Sequence, residues 1–385
     1  MKFTVHKALS SVVMLFLAFS LYSCSGAKSA SGILSGTPKS EVIEIIKKVN
    51  NYWQESNPKH GDAFWNRAAY HTGNMAAYQV TKEQTFLDYS IAWAEHNEWK
   101  GAKSDNKSEW KYARYGEGHD FVMFGDWQIC FQVYADLYKI KPEEYRIARA
   151  KEVMNYQIST PQNDYWWWAD GLYMVMPVMT RMYKITKNPL YLEKMYEYWK
   201  YSNSIMYDEA EGIYFRDAKY VFPKHTTPND KKDFWARGNG WVFAAFARVL
   251  EDLPKSDKHR DTYIQYYQKM AEKIAESQMP EGYWSRSMLD PDYASGYETS
   301  GTAFFTYGLL WGINNGYLSK KEYGKTVGKA WNYLTKIALQ PSGKVGYVQP
   351  IGENAGQHKV SAKTTTDFGV GAFLLAATEM VKSKK

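Results

Sequence analysis

The chain has 385 residues, a formal net charge of +7 and only two cysteines. One pair of cysteines cannot build the framework of a disulfide-stapled domain, and a mild, scattered positive charge marks no nucleic-acid footprint. Aromatic residues make up 17% of the chain, and many stand beside Gly, Asp and Asn. That pairing suits sugar rings, which offer a CH face to stack on and hydroxyls to bond.

Lys2 and Lys7 precede an apolar run from Ala8 to Leu21, too short to span a bilayer comfortably and shaped like a secretory signal. The run ends in Leu21-Tyr22-Ser23-Cys24, which resembles a bacterial lipobox. The expectations are a signal peptide over residues 1–23, lipidation at Cys24, with an ordinary signal cleavage near Ser23 to Ser25 as the alternative, and a small, polar tether over 24–37. They imply an exported lipoprotein, periplasmic or at the cell surface, whose membrane contact is the lipid alone. Cys130 falls in an apolar helical pattern and reads as a buried small side chain.

From residue 38 onward, apolar residues recur at three- and four-residue spacing. The periodicity predicts helices over 40–54, 66–80, 82–99, 124–140, 142–158, 170–186, 189–206, 238–253, 259–278, 299–315, 319–338 and 366–382, with short strands near 214–221 and 344–349. Lys187-Asn188-Pro189, Leu253-Pro254, Met279-Pro280-Glu281-Gly282 and Gln340-Pro341-Ser342-Gly343 punctuate them. Every second helix opens on a polar-aromatic-glycine cluster: Tyr70-His71-Thr72-Gly73-Asn74, Gly125-Asp126-Trp127, Trp168-Ala169-Asp170-Gly171, Ala236-Arg237-Gly238-Asn239-Gly240-Trp241, Tyr297-Glu298-Thr299-Ser300-Gly301 and Thr366-Asp367-Phe368-Gly369. The alternating helices are conventionally amphipathic. Six hairpins of this kind predict an all-α (α/α)6 barrel over residues 38–385, its inner helices starting at one funnel. A solenoid would show a shared repeat consensus, and none is visible.

The chain lacks a phosphate-binding Gly-Lys loop, a Gly-x-Ser-x-Gly elbow and a His-Glu-x-x-His zinc motif, and its eight histidines show no ligand spacing. Neither a metal nor an organic cofactor is expected. What remains is carboxylates set among rings, the groups glycoside chemistry uses for proton transfer. Asp170 follows three tryptophans, and Asp126 occupies the matching place one hairpin earlier. Each alone also suits a helix cap. Arg237, flanked by rings and glycines, suits a carboxylate clamp or a buried ion pair. Trp65, His71, Glu298 and Asp367 are candidate wall residues.

On Trp166-Trp167-Trp168-Ala169-Asp170-Gly171-Leu172-Tyr173-Met174, Phe234-Trp235-Ala236-Arg237-Gly238-Asn239-Gly240-Trp241 and Gly125-Asp126, the chain resembles the unsaturated uronyl hydrolases, glycoside hydrolase family 105 and its relative family 88. The resemblance implies Asp170 as general acid and base, Asp126 as the second carboxylate, and Arg237 and Trp241 around a uronate, with Trp168 a further substrate-binding candidate. It implies a substrate made by a polysaccharide lyase, whose 4,5-unsaturated uronic acid is released after hydration of its vinyl ether. One departure stands out: Arg216 occupies the place of a histidine found in rhamnogalacturonan-type members. An arginine near the leaving sugar suits a sulfate, so ulvan-type rhamnoglycuronan fragments stand beside pectin-derived ones. The competing readings are an inverting barrel glycosidase with carboxyls about 6.5–9.5 Å apart acting on saturated glycans, and a non-catalytic glycan-binding lipoprotein.

Overall fold

The computed structural model describes residues 36–383. The expected signal peptide and Cys24 lie outside the described residues, as does nearly all of the expected tether.

Helices dominate. In chain order they are α1 (Lys39–Ser56), α2 (Trp65–Thr81), α3 (Gln84–His96), α4 (Gly125–Gln128), α5 (Cys130–Ile140), α6 (Tyr145–Ser159), α7 (Ala169–Thr186) and α8 (Leu190–Met206). A two-stranded ribbon follows, β1 (Tyr207–Asp208) against β2 (Ile213–Tyr214), then α9 (Ala236–Asp252), α10 (Arg260–Glu276), α11 (Ser300–Asn314), α12 (Lys320–Tyr333) and α13 (Asp367–Lys382). The helix predicted over 124–140 is two pieces joined at Ile129, and α12 ends in a wider turn over Leu334–Ala338.

An inner ring runs α2, α4/α5, α7, α9, α11 and α13, and α13 returns to pack on α2. Position in the ring explains the sequence character of each helix. Inner helices meet ring neighbours on both sides and an outer helix behind, so α9 is buried without a break from Ala236 to Leu250. Outer helices have one dry face: α10 buries Tyr263, Tyr267, Met270, Ala271 and Ile274 and, Arg260 at its start apart, turns its charges outward. Where the ring closes, backbones touch. A Cβ on Gly73 would stand 2.2 Å from the Gly371 carbonyl oxygen, and one on Gly371 would stand 2.4 Å from that of Ala69.

The loops that leave the outer helices are tied to the starts of the inner ones by a repeated device. The Ala169 N–H donates to the Arg216 carbonyl at 2.8 Å, Ala236 to Arg286 at 2.8 Å, and Thr299 to Tyr347 at 2.9 Å. Each bond satisfies an N–H that a helix N-terminus leaves without an intrahelical partner. Each also hangs the returning segment over the funnel. The strands expected near 214–221 and 344–349 are realised as β2 and as single bridges at Asp217 and Val345 belonging to these segments.

Candidate active site

The inner-helix N-termini surround a cavity of about 410 Å³ that contains Asp126, Asp170, Trp65, Trp168, Arg216 and Arg237. Six residues singled out from the sequence thus meet, brought from α2, α4, α7, the segment after β2, and α9.

Glycines beside the two aspartates set the geometry between them. The Trp168 ring lies where a Cβ on Gly125 would come within 3.2 Å of it and one on Gly171 within 3.0 Å. Without side chains there, the indole fits between the starts of α4 and α7, stacks on Phe124 at 4.8 Å, and joins the two acidic helix starts. Trp65 stacks on Phe368 at 5.2 Å across the closure of the ring.

Asp126 is 3% exposed. Burial, and next the neighbouring charge of Asp170, hold its carboxyl well above the usual range, against the pull of Arg216. Burial also raises Asp170, opposed by Arg216 and Arg237, and one of its carboxyl oxygens is buried with no hydrogen-bond partner. The two form a coupled pair under arginine control. Of the two, Asp126 is held further above the usual range, and their titration belongs to the pair.

Arg216 pairs with Asp217, stands 3.7 Å from Glu353 and lies 5.8 Å over the Trp167 ring. Lys219 approaches the same Glu353 carboxylate at 3.8 Å. Arg237 is held between Trp235 and Phe368, at 4.3 and 4.8 Å from the ring centres. It donates to the carbonyls of Gln349 at 2.8 Å and Pro350 at 3.0 Å. Burial pushes its pKa down to about 10, with Glu298 and Asp170 opposing. It therefore both faces the cavity and fastens the segment that covers it.

Four expected site residues are elsewhere. His71 is fully buried, stacked on Trp93 at 4.1 Å and bonded to the Ser90 hydroxyl at 2.9 Å, because that face of α2 turns outward to α3. Burial holds its imidazole neutral by lowering its pKa well below the ordinary value. Trp241 sits more than a turn inside α9 and packs on Tyr173, Phe304 and Trp65, below the cavity floor. Glu298 is fully buried and accepts the N–H groups of Ser300 and Gly301, both at 2.8 Å, capping α11. Its link to the cavity runs through Ser300, whose hydroxyl accepts from Arg237 at 3.4 Å. Asp367 pairs with Arg67 at 3.3 Å and lines a neighbouring recess.

Other lining residues escaped the sequence reading. Trp235, rather than Trp241, presents its ring to the cavity, and Tyr115, Lys219, Ile351, Glu353 and His358 complete the rim. They come from loops, where no periodic pattern marks them. Among the described residues, no group of three or more His, Cys, Asp or Glu side chains is placed to hold a metal ion.

Comparison with known proteins agrees with this architecture. An unsaturated 3S-rhamnoglycuronyl hydrolase from Formosa agariphila is 33% identical over 360 residues, covering 90% of this chain and 92% of its own. A solved glycosyl hydrolase family 88 protein from Bacteroides vulgatus is 57% identical, with a TM-score of 0.88 over 90% of this chain and 99% of that one. Another solved structure, 63% identical with a TM-score of 0.88 over 90% of this chain and 98% of that one, carries the name polysaccharide lyase. The profile described as Glycosyl Hydrolase Family 88 matches residues 38–384, and the chain belongs to that family of glycoside hydrolases.

Proposed function

We propose that this enzyme removes a 4,5-unsaturated uronic acid from the non-reducing end of lyase-generated oligosaccharides, and that the sugar it releases carries an anionic group such as sulfate. One observation carries the reading: a buried carboxyl and a partly buried one, both with raised proton affinity, face one aromatic cavity between two arginines of different setting. A carboxyl that must deliver a proton and then recover one needs a pKa near the working range, and burial beside a like charge supplies it.

In the proposed reaction Arg237 takes the uronate carboxylate and the indoles take the ring face. Asp170 gives its proton to C4, and positive charge develops at C5 and the ring oxygen. Water adds to C5 while its proton passes to the Asp170 carboxylate. The C5 hemiketal opens to a ketone, and the exposed C1 hemiacetal collapses to an aldehyde and frees the neighbouring sugar as an alcohol. Asp126 shares the proton with Asp170 and polarises the site. The incoming uronate charge raises the proton affinity of Asp170, placing the proton on the donor when substrate is bound.

Support for an anionic released sugar comes from Arg216 and Lys219, which both approach the rim carboxylate of Glu353, at 3.7 and 3.8 Å, Arg216 pairing also with Asp217. The rhamnoglycuronyl name of the Formosa relative points the same way. The polysaccharide lyase name of the relative at 63% identity favours a second reading, β-elimination from a saturated uronide. Ultraviolet absorbance of the conjugated C4=C5 bond separates the two by sign. Hydration removes it from lyase-generated disaccharides, and elimination creates it on intact polysaccharide. Cleavage of saturated glycans with no loss of absorbance on a broad panel of unsaturated disaccharides would refute the hydration reading.

A further inference from the structure

The other end of the barrel holds a larger cavity, about 530 Å³, lined by the C-terminal halves of the inner helices. Neither Asp126 nor Asp170 borders it. Lysines in the last turns of α5, α7 and α13, namely Lys139, Lys184 and Lys382, complement the negative helix ends. Most of the charge here is internally matched. Arg181 bonds Asp136 at 3.1 Å, Lys184 bonds Asp252 at 2.6 Å, and Lys382 bonds Glu379 at 2.8 Å.

Among the buried charges of the lining Arg248 is the exception; Lys139 and Glu251 also form no ion pair but are exposed. Its side chain is 7% exposed, its Nε is buried without a partner, and its nearest carboxylate, Asp136, is 3.9 Å away and already engaged by Arg181. A guanidinium is costly to bury unpaired, and its planar fork fits a carboxylate through two parallel hydrogen bonds. Thr378, also lining the cavity, has a buried hydroxyl without a partner, and Tyr307 and Gln79 line the same cavity. The volume lies within the range of small-molecule sites.

We infer that this cavity is a second binding site, for a small polyhydroxy carboxylate of sugar-acid size, whose carboxylate pairs with Arg248 and whose hydroxyls meet Thr378 and its neighbours. The lining carries the cations Lys139, Arg181, Lys184, Arg248 and Lys382 against the carboxylates Asp136, Glu251, Asp252 and Glu379, and the one net positive charge calls for a monoanion. The inference is independent of the reaction proposed at the opposite end.

D-Glucuronate is the probe, titrated calorimetrically into the wild-type enzyme and into Arg248→Gln at constant ionic strength. Whatever number of equivalents the catalytic end takes, Arg248→Gln should lose one, its affinity falling about tenfold or more as a charge-assisted pair is removed. Turnover should stay within twofold of wild type, because Arg248 is remote from the two aspartates. Thr378→Val, nearly isosteric, should weaken the same binding event and guards against a folding failure of the arginine variant. Identical stoichiometry and affinity in wild type and both variants overturn the inference, as does equal competition by sodium chloride and by acetate at the same concentration.

Discussion

The Glu353 carboxylate lies 3.7 Å from the Arg216 guanidinium at the rim of the catalytic cavity and is 45% exposed. Under the proposed function an anionic substituent of the released sugar is received by Arg216, so Glu353 competes for the same cation. Glu353→Gln should lower KM for disaccharides with a sulfated second sugar by about two- to fivefold, the worth of a half-exposed ion pair. Unsulfated disaccharides should be little affected. Steady-state kinetics on the two substrate classes checks this, and an equal change on both removes the competition.

Arg216 and Arg237 should separate in the same assay. Arg237→Ala should reduce kcat/KM on every unsaturated disaccharide by a similar factor, about 10- to 150-fold for loss of a charge-assisted pair of 1.5–3 kcal/mol. Because it also fastens Gln349 and Pro350, its Tm should fall as well. Arg216→Ala should act most on sulfated substrates, and its effect should shrink with salt. Uniform loss across substrates in Arg216→Ala would assign it to the uronate or to the fold.

The helical ring was legible because periodicity and alternating cluster chemistry are local properties of the chain. Inner helices announce themselves through glycine and aromatic residues at their starts, as at Gly125 and Trp168. Which member of a cluster faces the funnel was not legible. Trp235 and Trp241 belong to one motif, yet the ring before the helix meets the cavity and the one inside it packs the core. Glu298 looks equally suited to substrate and to capping until the N–H groups of Ser300 and Gly301 are seen to use it up. Arg216 could be placed only through resemblance, since its position depends on a backbone bond to Ala169 far away in sequence. Glu353 and Tyr115 lie in loops whose approach to the site has no sequence signature.

Closure of the ring gives a stability prediction. Gly73→Ala should be destabilising although alanine favours helix by about 1 kcal/mol. The added methyl would meet the Gly371 carbonyl, and rigid backbone rather than a flexible side chain must move. Overpacking of this kind costs about 1–3 kcal/mol. Differential scanning calorimetry should show a lower Tm, and a rise in Tm would mean that α2 and α13 are not in contact in solution.

The coupled aspartates make both activity and stability depend on pH, in directions fixed by their environment. Asp170→Asn should remove turnover by at least the 10²–10⁴-fold that a positioned acid supplies. Asp126→Asn should leave measurable activity but move the alkaline limb of kcat/KM to lower pH. In the wild-type pair the shared proton is retained to the upper of two macroscopic values, whereas a lone Asp170, pulled down by Arg216 and Arg237, releases it sooner. Stability should move the other way. A carboxyl whose folded pKa is raised favours the native state fully only below its unfolded value, about 3.9 for Asp, and that advantage is lost as pH rises through the folded value. Asp126 is held up by burial and by Asp170, so wild type loses native-state advantage as pH rises above the unfolded value and Asp126→Asn does not. The Tm of Asp126→Asn should match wild type at acid pH and exceed it increasingly as pH rises. A Tm difference that is independent of pH would mean that the buried carboxyl is not the titrating group, and an unmoved alkaline limb would mean that the proton is not shared between the two.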